Sequence, residues 1–327
     1  MSMDKSTADC YVYSKASGSL SKSFIGNRKS VLFSQSSIPQ LWSLLFSKEI
    51  PSLPQSLLVK EFEKTALNEF VNKFISLMEN YERPEKVLIT MLQFYEVENL
   101  KEIAATLCLG NKEKPELINI FPYSRLNYNA WPSLKEITLN SPYEWYAGFD
   151  SFDDEKDFNY RIDCQYIKEL WASVNEIKNE SATDLQKLFL QKIVVQNFVW
   201  ALRLRIFYKM ESEQIKSYLV YEGDKKNEKD LFAGEVIKSL DWKLDDFNVW
   251  SKSSIKKFLN PDSASWTINC AYINNAFQDF YVLQAKHLFH KYPSTCCPLV
   301  CWFIIKQDEV DNIRHACQRI KLGVNNG

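Results

Sequence analysis

One short pattern occurs three times in this chain: a valine, any residue, an asparagine and then a large apolar residue. The copies are Val97-Glu-Asn-Leu100, Val195-Gln-Asn-Phe198 and Val310-Asp-Asn-Ile313. Their asparagines are 98 and 115 positions apart, close to one third of the 327 residues. A pattern that recurs at such a period predicts one structural unit used three times. It favours a symmetric helical scaffold over an enzyme built around a single active site.

The residues that follow the first and third copies agree as well. Apolar residues follow Asn99 and Asn312 at matching offsets, three or four positions apart, which places them on one face of a helix. Gly110 and Gly323 each lie 11 residues after the asparagine, where a left-handed residue that ends a helix is expected. In the second copy Tyr208 stands at the glycine position, so that helix is expected to run on without a cap.

The asparagines themselves have a local interpretation. Asparagine is a mediocre helix former that often bonds a free backbone N–H near a helix start. Asn99, Asn197 and Asn312 can therefore be purely structural markers of the repeat. The prediction of a repeat does not depend on this choice, because it rests on the whole set of offsets.

Basic residues follow two of the three asparagines and are candidates for a partner interface. They are Arg203 and Arg205 after the second copy, and Arg314 and Arg319 after the third. A solvated helix face is one explanation, since the helix dipole favours cations near the C-terminal end. The other explanation is that these residues form a polar rim or lumen of the protein, which contacts an acidic helix of a partner.

The scarcity of glycine and proline predicts long helices. The chain has 8 glycines, and none of its 11 prolines falls between Pro142 and Pro261. Strand-like alternation is rare, so we expect an all-α fold. A net charge of −1 argues against nucleic-acid binding. The first ten residues do not resemble a signal peptide, and no apolar run approaches the roughly 18 to 20 residues of a spanning helix.

The chain is expected to divide into three helical units after a disordered N-terminus at residues 1–10. The first unit covers residues 11–110, to which closing helices of the third can contribute; the second covers 111–219 and the third 220–327. Several prolines and asparagines at residues 111–132 indicate a linker. The clearest single helix has apolar residues every four positions: Leu58, Phe62, Ala66, Phe70, Phe74 and Met78.

Two groups of residues could bind a metal in principle. His287 and His290 have helical spacing, but two histidines need further ligands that no motif positions. Cys296, Cys297 and Cys301 lie in an apolar stretch, where free cysteine behaves as a small buried hydrophobe. Glycine-rich phosphate loops and hydrolase motifs are missing from the sequence. We expect no metal, no other cofactor and no catalytic residue; an all-α metalloenzyme using the two histidines is the enzyme alternative.

Five segments along the chain match the pattern of one known family. They are Tyr11-Val-Tyr-Ser-Lys-Ala16, Glu98-Asn-Leu100, Ile162-Asp-x-x-Tyr166, the Asn197 helix with Arg203, and Glu309-Val-Asp-Asn-Ile-Arg314 through Gly323. The chain thus resembles the C (or d) subunit family of the vacuolar-type and archaeal-type rotary ATPases. The resemblance implies an all-helical funnel of three pseudo-equivalent domains around a pseudo-threefold axis.

The same resemblance implies a rotor subunit without an active site. Such a subunit lies on the cytoplasmic face of a membrane, binds the ring of proteolipid subunits and receives the central shaft of the ATPase head. It would couple ATP hydrolysis or synthesis to H⁺ or Na⁺ transport, as a monomer within a hetero-oligomer, with no nucleic-acid partner and no small-molecule substrate. The alternative is a helical-repeat adaptor unrelated to rotary ATPases, because an open solenoid would share the repeats.

Overall fold

The chain is all-α in a computed structural model, which describes residues 4–148, 152–224 and 226–323, with backbone alone at 152–156. Within these residues there are thirteen α-helices and no β-strand, so the predicted all-α fold is confirmed. Four short 3₁₀-helices lie between them, at Gly26–Arg28, Tyr128–Ala130, Glu144–Gly148 and Lys256–Phe258. The α-helices are α1 Lys5–Leu20, α2 Lys29–Phe33, α3 Ile38–Leu45, α4 Gln55–Met78, α5 Lys86–Cys108, α6 Leu134–Thr138, α7 Phe152–Asn175, α8 Ala182–Phe207, α9 Ser212–Ser217, α10 Gly234–Ser239, α11 Phe247–Trp250, α12 Cys270–Lys291 and α13 Cys297–Lys321.

Helix α1 begins earlier than the sequence analysis expected. It starts at Lys5, so the disorder predicted for residues 1–10 is wrong from that residue onward, and residues 1–3 lie outside the described part. The Asp4 side chain accepts the Thr7 backbone N–H at 3.1 Å and so caps the helix. Aspartate is a preferred residue at this position, because its carboxylate satisfies a backbone donor that the helix leaves free.

The chain packs as two compact units. The first comprises residues 1–93, 117–124 and 285–327. Its longest packed pair is α4 with α13, and the six apolar residues predicted every four positions along α4 are all buried. Phe70 and Phe74 stack on Trp302 with ring centroids 5.8 and 6.1 Å apart. Aromatic packing of this kind adds to the free energy gained by burying the rings.

A second apolar cluster in this unit joins α2, α3 and α4 to the C-terminal half of α13. Burial of each leucine, isoleucine, valine or phenylalanine side chain in this cluster stabilises the fold by roughly 1.5–3 kcal/mol. Helices from the N-terminal part of the chain and its last helix thus share one core. The cluster consists of Leu32, Ile38, Leu41, Trp42, Phe46, Leu58, Val59, Phe62, Ala66, Ile313, Ala316 and Cys317.

The second unit comprises residues 94–116 and 125–284. Helix α8 lies at its centre and packs against α7, α9 and α10. Phe198 of α8 contacts Trp250, which in turn meets Trp242 at 5.2 Å between ring centroids. The predicted linker at residues 111–132 is divided between the two units. Residues 117–124 pack with the first unit, and residues 111–116 and 125–132 pack with the second. The division into three units and the funnel shape stay predictions.

Candidate functional site

The three repeated asparagines lie inside long helices rather than near helix starts. Asn99 is in α5, Asn197 in α8 and Asn312 in α13. The local interpretation, in which each asparagine bonds a free N–H at the start of its own helix, is therefore wrong. Asn99 and Asn197 are buried, each with 3% of its surface exposed, whereas Asn312 is half-buried.

Asn99 and Asn197 connect their helices to segments that follow later in the chain. The Asn197 side-chain amide donates to the carbonyl oxygens of Val220 at 2.8 Å and Phe232 at 3.1 Å. Its oxygen accepts the Val220 backbone N–H at 3.0 Å. The Asn99 amide donates to the Tyr128 hydroxyl at 3.2 Å. Because a buried amide must be hydrogen-bonded, these contacts fix the segments in register on the helices.

Asn312 has a different set of contacts. Its amide donates to the Asp308 backbone oxygen at 2.5 Å and to the Asp308 carboxylate at 3.1 Å, one turn earlier in the same helix. The same carboxylate pairs with Lys29 of α2 at 2.8 Å. Asn312 therefore stands at a place in the sequence equivalent to that of Asn197, but it binds its own helix rather than a segment that follows.

A buried glutamate precedes two of the asparagines by three positions, and neither was predicted as a site residue. Glu96 is 0% exposed and Glu309 is 3% exposed, whereas the second copy has Val194 at this place. Glu309 stands in the segment that resembles the family, but only its neighbours were chosen as markers. The signal was present: both copies read Glu-Val, then an acidic residue, then Asn.

The Glu96 side chain binds the backbone of the chain segment that follows α5. One oxygen accepts the N–H groups of Arg125 at 2.5 Å and Leu126 at 3.2 Å, and the other accepts Arg125 Nε at 2.8 Å. The Arg125 guanidinium also pairs with Glu169 at 3.1 Å and donates to the Tyr143 hydroxyl at 2.5 Å. Burial raises the pKa of Tyr143, so its hydroxyl stays protonated beside the two carboxylates. A buried carboxylate is tolerated when its charge is paired and its oxygens are hydrogen-bonded, as they are in this cluster.

Glu309 makes the same type of contact in the first unit. It accepts the Phe24 backbone N–H at 2.6 Å, in the turn that follows α1. Lys306, one turn earlier in α13, pairs with the second carboxylate oxygen and donates to the Ser23 hydroxyl at 3.0 Å. Both glutamates thus bind main-chain N–H groups of a distant non-helical segment, with a cation beside them.

The closing glycines adopt the predicted left-handed conformation. Gly110 has φ 69° and Gly323 has φ 67°. After α5, the Gly110 N–H donates to the Leu107 carbonyl at 2.9 Å and the Asn111 N–H donates to the Thr106 carbonyl at 3.2 Å. This pair of bonds is the Schellman motif, which satisfies carbonyls that a helix end leaves free.

The helix that carries the second copy does not continue past the glycine position, contrary to the expectation from the sequence. Helix α8 ends at Phe207, and Tyr208 at the glycine position keeps a right-handed φ of −95°. The next residue, Lys209, takes the left-handed conformation with φ 55°. The helix end is therefore shifted by one residue, and a side chain occupies a backbone conformation that favours glycine.

Two of the four candidate interface arginines have intramolecular partners. Arg205 donates to the Trp242 carbonyl at 2.6 Å. Arg319 donates to the Phe33 carbonyl and places its guanidinium 5.9 Å from the centre of the Phe33 ring. Both are partly buried. Because each guanidinium already satisfies a backbone carbonyl, the structure gives both residues a role in holding their own unit together.

The other two arginines are more accessible. Arg203 is exposed on α8. Arg314 lies on α13 with 38% of its side chain exposed and is 3.6 Å from Asp311, an exposed pair of the kind that contributes little to stability. These two remain the candidates for contacts with a partner.

The histidine and cysteine groups are separated from further metal ligands. His287 and His290 are exposed on α12, and His290 Nδ1 is hydrogen-bonded to the Tyr13 hydroxyl at 2.9 Å. Cys297 and Cys301 are buried with their sulfurs 3.8 Å apart, and burial raises the pKa of the Cys301 thiol. Over residues 4–148, 152–224 and 226–323, no cluster of three or more His, Cys, Asp or Glu side chains is placed to hold a metal ion.

Comparison with known proteins gives two findings. The family model described as ATP synthase (C/AC39) subunit matches residues 32–326. A protein of Treponema pallidum (strain Nichols), described as an uncharacterized protein, is 23% identical over 325 residues, covering 99% of this chain and 95% of that protein. Among the residues described, no helix is both long and apolar enough to cross a membrane.

Proposed function

Because this chain belongs to the C/AC39 subunit family of the ATP synthases, we propose that it is a non-catalytic rotor subunit of a V-type or A-type ATPase. In this role it joins the central shaft of the ATPase head to the proteolipid ring in the membrane. It couples ATP hydrolysis or synthesis to the movement of H⁺ or Na⁺. It is a monomer within the complex and lies on the cytoplasmic face of the membrane.

The observation that carries the proposal is the family match, which extends over residues 32–326 and so over nearly all of the chain. The repeated helices are consistent with a mechanical part. Three helices of 23, 26 and 25 residues carry the repeat, and buried side chains bind the backbone of the segments packed against them. Backbone contacts of this kind resist sliding of a segment along a helix, which suits a body that must transmit rotation.

Purification of the chain together with its bound partners, from the cells that make it, tests whether it is part of a rotary ATPase. The tagged chain, purified after mild detergent extraction, is expected to bring down head, shaft and proteolipid subunits, identified by mass spectrometry. A stable set of unrelated partners would refute the rotor role and favour the helical-repeat adaptor. A stoichiometric metal in the purified chain would favour the metalloenzyme instead.

Deletion of the chain tests the coupling. Membranes that lack it are expected to lose ATP-driven ion transport while the released heads still hydrolyse ATP, and the wild-type chain should restore transport. Arg203→Glu and Lys60→Glu form a matched pair of charge reversals at exposed helix positions. We expect the first to impair restoration and the second to restore fully. Loss of ATP hydrolysis by the isolated heads would contradict a purely mechanical role.

A further inference from the structure

An open groove of 920 Å³ lies in the first unit, lined by α1, the turn after it, the end of α3, α4 and α13. Its floor is apolar and buried, and includes Phe46, Phe70 and Ile313. Small side chains such as Ser14 and Ser76 line its walls and leave the space open. The groove therefore combines an apolar base with a polar rim, which is the general form of a site that receives an amphipathic helix.

The carboxylates of the groove are already compensated by lysines of this chain. Glu309 pairs with Lys306 at the floor, and Glu69 at the rim pairs with Lys48 at 3.2 Å. Neither pair leaves a negative charge for a cationic ligand. The groove therefore does not present an acidic rim that would attract a basic partner.

Three further lysines make the rim positive. Lys15, Lys22 and Lys73 line the groove and are exposed, and Lys15 lies 5.3 Å from the centre of the Tyr11 ring. In the part of the chain that the structure describes, no carboxylate forms an ion pair with any of the three. The groove thus offers three ammonium groups above an apolar floor.

Gly18 lies on the groove side of α1 near the C-terminal end of that helix. Glycine weakens a helix relative to alanine, and Gly18 lacks the positive φ that would require glycine. A Cβ atom built on it would meet no other atom within 4 Å. No contact within the chain therefore requires a glycine at this position. The close approach of a second backbone in the groove would require one.

We propose that this groove binds an acidic, amphipathic helical segment of a partner chain. Its apolar stripe would lie on the floor, its carboxylates would pair with Lys15, Lys22 and Lys73, and its backbone would approach α1 at Gly18. Charge complementarity selects an acidic segment over a basic one. The inference does not depend on the rotor role, because the groove belongs to the first unit whatever complex the chain enters.

Two labelled helical peptides of about 18 residues test the proposal by fluorescence anisotropy with the full-length chain. Both carry the same leucine stripe; one has glutamate and the other lysine on the flanks. We expect the acidic peptide to bind about tenfold more tightly or better at low salt. Gly18→Leu and the double variant Lys15→Glu, Lys73→Glu should each weaken its binding about tenfold. The matched controls Ser6→Leu and Lys60→Glu, at exposed positions outside the groove, should change it less than about twofold.

Circular dichroism of each variant separates loss of binding from loss of fold, and leucine at Gly18 is a better helix former than the residue it replaces. Equal binding of the two peptides would overturn the proposal. So would acidic-peptide binding that survives both groove variants. Binding of phosphatidylserine vesicles that depends on Lys15 and Lys73, without binding of the acidic peptide, would assign the lysines to a membrane surface and overturn it as well.

Discussion

Replacing Glu96 with glutamine tests whether the buried glutamates hold the distant segments in place. The amide oxygen can still accept the N–H groups of Arg125 and Leu126, but the negative charge is lost and an NH₂ group faces Arg125 Nε. Breaking a buried ion pair costs about 3–5 kcal/mol. Arg125 keeps its pair with Glu169 and is 25% exposed, so the lower end applies, about 3 kcal/mol.

Hydrogen exchange measured at single-residue resolution is the assay, because it reports local opening. A loss of about 3 kcal/mol corresponds to exchange roughly 100-fold faster. The acceleration is expected at the amides of Arg125 and Leu126, which donate to Glu96. The Phe24 amide, which donates to Glu309, should be unaffected.

Two controls make the outcome specific. Glu309→Gln should reverse the pattern, with faster exchange at Phe24 and unchanged exchange at Arg125. Glu98→Gln removes a carboxylate that is 46% exposed and should change exchange at none of these amides. Acceleration below about threefold at Arg125 in Glu96→Gln would refute the argument that the charge of this carboxylate holds the segment.

Three further substitutions test other features of the fold, each by urea denaturation of the full-length chain. Lys209→Gly should stabilise the unit by about 0.5–1 kcal/mol, because glycine adopts φ 55° without strain; a lower midpoint would refute the strain. Gly234→Ala should destabilise it by about 2 kcal/mol, because the added Cβ would overlap the Glu228 carbonyl oxygen; an unchanged midpoint would show that the loop gives way. Asp9→Asn should stabilise the chain at pH 7 but not at pH 4. Burial raises the pKa of Asp9, so the native state favours the protonated carboxyl, and stability is lost as the pH rises through the raised pKa. An equal gain at both pH values would contradict this.

Much of the helical architecture follows from local sequence. The stripe from Leu58 to Met78 lies along one buried face of α4, as its four-residue period predicts. Gly110 and Gly323 end their helices in the left-handed conformation because glycine has no Cβ penalty there. The family inferred from the resemblance is confirmed by a match over nearly the whole chain.

The contacts of the site could not be read from local sequence. Glu96 and Glu309 lie one position outside the repeated pattern, and their partners are main-chain N–H groups that leave no signal in the sequence. Phe24 is 285 positions from Glu309, so only the fold brings them together. Lys209 shows the same limit at short range, because α8 ends one residue later than the spacing of the other two copies predicts.

Glu96 and Glu309 both bind main-chain N–H groups, and this affects which positions of the chain can change during evolution. Every residue except proline carries a backbone N–H, so the side chains at positions 24 and 126 can be exchanged without removing the donor. Position 125 must in addition keep the guanidinium that compensates the buried charge of Glu96. The two glutamates tolerate no such drift. Selection on these contacts is therefore expected to act on the two glutamates and on the cations paired with them, Arg125 and Lys306, and to leave the other residues of the bound segments free to change.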